Sequence, residues 1–72
     1  MSQRIEVKPL PTPGRPRRAI VYGGPAERDH STAHGVWDSP EDAALWDTDS
    51  HSDTMRALAR AYIAWANAGA DS

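Results

Sequence analysis

The chain has 72 residues and a formal charge of −2, with six prolines but neither cysteine nor phenylalanine. Twelve of its residues are alanine while leucine, isoleucine and valine supply three each, so the core must come from Trp37, Trp46, Trp65, Tyr22, Tyr62, Met55 and nine aliphatics, in a size range where one core rarely yields more than about 3–5 kcal/mol. The missing cysteines exclude a disulfide-stapled mini-domain and a cysteine-ligated zinc module. With no apolar run near the ~18 residues of a membrane span and no apolar leader, the expectation is a cytoplasmic chain without membrane association.

Charge is unevenly placed. Residues 1–28 carry six cations (Arg4, Lys8, Arg15, Arg17, Arg18, Arg28) and two anions, whereas residues 29–72 carry eight anions and only Arg56 and Arg60. The expected division is an extended, basic, proline-rich arm over 1–35 and an acidic, tryptophan-bearing helical segment over 36–72. Arg4-Ile5-Glu6-Val7-Lys8 alternates charged and apolar residues with period two and predicts a short strand over 4–8. Residues 9–18 hold four prolines, which predicts polyproline II or extended coil. Ala19-Ile20-Val21-Tyr22 predicts a second strand over 19–22, stopped by a turn at Gly23-Gly24-Pro25. The two strands form a weak β-ribbon that needs further support, since a lone hairpin is marginal in water. Without that support, residues 1–35 are disordered.

Residues 26–35 show no periodicity and read as a loop. Ser39-Pro40-Glu41-Asp42 predicts a helix start, with a serine cap, a proline that loses no needed donor and acids at the positive end of the dipole. The resulting short helix is placed at about 40–47. Over 54–68, Met55, Leu58, Ala59, Tyr62, Ile63, Trp65 and Ala66 share one face at ~100° per residue, which predicts an amphipathic helix that Gly69 stops. Ala57, Ala61, Ala64 and Ala68 make a second, small-residue stripe. The fold class is thus small α+β: a weak ribbon, a short helix and a longer C-terminal helix.

Signals for chemistry are thin. His30 and His34 stand four apart, and with His51, Asp29 or Asp38 they are the best metal candidates, but their segment lacks a helical pattern and no metal or other cofactor is expected. Gly23-Gly24 lacks the lysine and helix of a phosphate cradle and reads as a turn. No serine occupies a nucleophile turn, and a chain this short offers little scaffold to exclude water, so no catalytic residues are assigned and a non-enzyme is expected. Arg15, Arg17 and Arg18 are the candidates for phosphate contact. The pI of about 5.8 and the absence of interleaved aromatics argue against nucleic acid, and in the alternative these arginines meet the chain's own acids.

The segment from Val36 to Asp47 sets two tryptophans among acids. Trp37, Asp38, Glu41, Asp42, Leu45, Trp46 and Asp47, together with Leu58, Tyr62 and Trp65 on the last helix, are the candidate partner-binding residues: aromatic anchors steered by acids onto a basic protein surface. The competing use of the same tryptophans is as the chain's own core against the last helix. In layout the segment resembles the toxin-neutralising portions of small bacterial antitoxins, acidic and aromatic-bearing helices that wrap basic nuclease surfaces. The seven arginines to one lysine resemble proteins of high-GC bacteria. The arginine ratio bears on source alone; the acidic tryptophan segment and its antitoxin-like layout lead to the expectation of a small inhibitor, antitoxin-like protein or adaptor. The alternatives are a nucleic-acid-associated regulator using the arginine tract, or an accessory subunit of a larger assembly, with self-association open to any of them.

Overall fold

A computed structural model of the protein describes residues 3–25 and 33–69, with side chains over 5–23 and 33–69. Three strands, β1 (Gln3–Pro9), β2 (Ala19–Pro25) and β3 (Ala33–Trp37), form an antiparallel sheet in the order β1-β2-β3, and α1 (Pro40–Ala44) and α2 (Asp53–Asn67) follow. The small α+β class read from the sequence is what the chain adopts.

Register decides which side chains face the helices. Val7 lies opposite Val21 and Pro9 opposite Ala19, while β3 sets Gly35 against Val21 and Trp37 against Ala19. With side chains alternating across a strand, Val7, Ala19, Val21, Gly35 and Trp37 share the face that α2 covers. Leu58, Ala59, Tyr62 and Ala66 of α2 and Ala43 of α1 complete the buried cluster. Of these, Val7 and Gly35 are only partly buried; half of the other eight are alanines, whose missing bulk lets the helix come close enough for the few large side chains to span the gap.

The helix ends follow the expected chemistry. Ser39 accepts from the Asp42 amide and Ser52 from the Met55 amide, each at 3.1 Å, satisfying otherwise orphaned donors. Gly69 takes φ +84 after the last turn of α2 and donates its amide to the Ala66 carbonyl. The short helix is briefer than the expected 40–47: it closes at Ala44, and the amides of Trp46 and Asp47 bond Ala43 and Ala44 in single turns.

Three expectations are corrected. The loop read over 26–35 contains strand β3 from Ala33; residues 26–32 lie outside the described residues. Its period-two pattern was masked because two of its inward positions are Ala33 and Gly35. Second, β2 does not stop at Gly23: Gly23 pairs with Ile5, Gly24 with Arg4 and Pro25 with Gln3. Third, the proline segment is folded. Thr12-Pro13-Gly14-Arg15 closes a turn through the Arg15 amide and the Thr12 carbonyl (3.0 Å), with Pro13 second and Gly14 third at φ +78, the type II pattern. A second turn follows from the Arg18 amide to the Arg15 carbonyl, and Leu10 bonds Arg18 across the loop base.

Gly35 is the position where a missing side chain matters most. The Trp37 indole folds back over it, so a β-carbon at 35 meets the ring, 2.8 Å from Cζ2 and 2.9 Å from Cζ3. Trp37 is itself pinned between sheet and helix and has little room to yield. Gly35→Ala is expected to cost about 1–3 kcal/mol by overpacking, read as a lowered thermal midpoint. A midpoint equal to wild type contradicts this placement of Trp37.

Candidate protein-docking site

The acidic tryptophan segment divides between core and surface. Trp37 is only 3 % exposed, and Leu58 and Tyr62 are fully buried. These three expected contact residues are instead structural, because this chain has so few large apolar groups that its sheet and helix must use them. Trp37 touches Tyr62 (centroids 5.8 Å) and Trp46 (6.0 Å, edge to face), and Tyr62 touches Trp65 (5.6 Å), which is half-buried.

Trp46 and Leu45 are in a different position. The turn after α1 turns them outward, leaving Leu45 69 % and Trp46 38 % exposed. Glu41 and Asp42 on α1 are exposed as well. His51 stacks on Trp46 at 4.6 Å and lies 3.4 Å from Thr48 Oγ1, which orders the loop between the helices. Asp47 accepts from Arg60 Nε at 3.1 Å through both oxygens, holding the arginine above its ordinary pKa, and Arg56 bridges Asp49 and Asp53. These pairs are exposed enough that they orient the loop more than they stabilise it.

A cleft of about 250 Å³ opens beside Trp46, lined by His34, Gly35, Val36, Trp37, Trp46 and Met55. Of these, His34, Gly35, Val36 and Met55 were not among the candidate contact residues. The signal available for the three strand residues was the need of the 19–22 strand for further pairing, and for Met55 its place on the apolar face of the last helix.

The arginine tract is drawn into the fold. Arg15 pairs with Asp38, and Arg18 Nε lies 3.4 Å from Asp38 Oδ1, a charge contact without hydrogen-bond alignment. The Arg17 carbonyl accepts from the buried Tyr62 hydroxyl at 2.7 Å. Asp38 therefore serves the chain's own basic loop. A shallow hollow of about 320 Å³ around Gly14, Arg15, Pro16 and Arg17 includes Asp38 in its wall, which opposes an anion there.

No group of three potential ligands able to hold a metal occurs among the described residues. His34 lies on β3 and His51 against Trp46, while His30 and Asp29 lie outside the described residues. No helix among the described residues is long and apolar enough to cross a membrane. Compared with protein-family models, with curated proteins and with solved structures, the chain matches none.

The Tyr62 phenol has a raised pKa, chiefly from burial and then from the negative charge of Asp38, with Arg17 working the other way. A raised folded-state value means the neutral phenol's contribution is complete below the ordinary value of 10.0 and is lost as pH rises through the folded value. The urea midpoint of wild type is expected to fall more steeply above about pH 10 than that of Tyr62→Phe. The phenylalanine variant starts about 1 kcal/mol lower at neutral pH for want of the Arg17 bond. Parallel curves for the two proteins contradict the buried phenol.

Proposed function

We propose that the chain is a small non-catalytic protein-interaction module, of the inhibitor, antitoxin-like or adaptor kind, that docks a basic protein partner. The observation that carries this reading is the outward pair Leu45 and Trp46, large apolar residues left in water by a chain short of core material. Around them the chain is acidic: Glu41, Asp42, Asp47, Asp49 and Asp53 fall within thirteen residues, and no lysine or arginine stands between Arg28 and Arg56. An aromatic anchor inside a negative field favours a positively charged surface and disfavours indiscriminate apolar contact.

The contact set is narrower than the sequence suggested. Glu41, Asp42, Leu45, Trp46 and Asp47 form it, Trp65 borders the core, and Trp37, Leu58 and Tyr62 hold the scaffold beneath. The reading in which Arg15, Arg17 and Arg18 grip nucleic acid has to reckon with Asp38, which takes two of those guanidiniums.

The test is affinity capture from the source organism with wild type beside Leu45→Ser/Trp46→Ala. Wild type is expected to retain one protein in stoichiometric amount, released by salt, and the double variant to lose it while its thermal midpoint moves by no more than about 1–2 kcal/mol equivalent. Retention of nucleic acid alone, or equal capture by both proteins, overturns the reading.

A further inference from the structure

The cleft beside Trp46 also borders β3, an edge strand of the sheet among the described residues. β3 pairs with β2 on one side, and among the described residues no strand lies on its other side. A strand edge presents alternate amide and carbonyl groups as a template for another strand. Four of the six residues lining the cleft, His34, Gly35, Val36 and Trp37, belong to β3 itself, and Trp46 and Met55 form the opposite wall.

The two outer edges of the sheet are not equivalent. β1 carries Glu6 and Lys8, both exposed, and ends in Pro9, features that discourage strand addition. β3 reads Ala-His-Gly-Val-Trp, with neither acid, lysine, arginine nor proline. Beside it, Val36 is 41 % exposed and lies opposite Ile20 on the uncovered face of the sheet, so an added strand meets apolar surface on that face too. The cleft volume is below the ~300–1,000 Å³ of small-molecule pockets and suits side chains entering from a neighbouring strand.

Charge selects the occupant. Residues 41–60, which supply the wall of Trp46 and Met55, hold five acids against Arg56 and Arg60, and both arginines are already paired with acids of that segment. A second copy of this chain, joined edge to edge about a two-fold axis, brings two such negative walls together. A basic segment does the reverse. We infer that the free edge of β3 accepts an extended segment of a basic partner as a fourth strand, with alternate apolar side chains entering the Trp37–Trp46–Met55 cleft and the intervening lysines or arginines on the opposite face, beside Val36 and drawn by the net negative charge of residues 41–60. This rests on the docking reading above and specifies its mode.

The experiment uses the full chain and a blocked peptide of alternating valine and lysine, about ten residues long, the upper range of a natural strand. Three controls accompany it: the peptide N-methylated at alternate amides, a scrambled peptide of the same composition, and the Val36→Lys variant of the protein. Binding is followed by fluorescence anisotropy and by amide NMR shifts. The expected result is shifts centred on residues 33–37, 46 and 55, with affinity about tenfold weaker for the N-methylated peptide, which loses backbone bonds. Weaker binding is also expected for Val36→Lys, whose added cation repels the peptide at an exposed position. Equal affinity of all three peptides, shifts centred elsewhere, no binding, or a dimer of the protein alone with protected β3 amides overturns the inference. Loss of the captured partner in Leu45→Ser/Trp46→Ala together with any of those outcomes leaves the docking reading standing and removes only the strand-addition mode.

Discussion

The structure depends on one aromatic side chain crossing a glycine. Trp37 sits at the end of β3, folds its indole back over Gly35 and reaches both Tyr62 of α2 and Trp46 beyond α1. Without that bridge the sheet contributes only Val7, Val21 and small residues to the interior, too little to hold an amphipathic helix. With it, a chain of three leucines and no phenylalanine joins sheet and helix through large ring surfaces, and aromatic contacts add about 0.5–1.5 kcal/mol each beyond burial alone.

Trp37 also sets where the site is. Because its ring lies inward, β3 turns His34 and Val36 outward, and the outer border of the strand faces the cleft that Trp46 walls. The buried Tyr62 hydroxyl ties α2 to the Arg17 carbonyl, and Asp38, next to Trp37, gathers Arg15 and Arg18. The basic loop is thus folded onto the first acid of the acidic segment, and the acids further along, from Glu41 onward, keep a net negative surface around Leu45 and Trp46.

Local patterns made much of this legible. The face shared by Met55, Leu58, Tyr62 and Trp65 needs only helical spacing, and Ser39-Pro40 announces a helix start by its own chemistry. β3 was hidden because strand alternation is read from large inward residues, and here two inward positions are Ala33 and Gly35. Gly35 is small for a reason several residues' reading cannot supply: a ring two positions later occupies the space. The turns of the proline loop are hidden for a similar cause, since Pro13-Gly14 and Pro16 make turns whose closure depends on β1 and β2 meeting. At the candidate site, Trp37 and Trp46 both stand among acids; strand parity turns Trp37 inward, and the turn after α1 leaves Trp46 partly exposed. Leu45 and Trp46 stood among the candidate contact residues without being told apart from Trp37, whereas Val36 and Met55 join the candidate site only through pairing and packing.

Two tryptophans of one segment thus divide the work, Trp37 holding the core and Trp46 lying partly exposed beside it. This division is tested most directly by urea denaturation of Trp37→Ala beside Trp46→Ala. The first is expected to lose about 3–5 kcal/mol, enough to unfold the chain or nearly so, and the second about 1 kcal/mol with a cooperative transition retained. Equal losses, or a greater loss at Trp46, contradict this division.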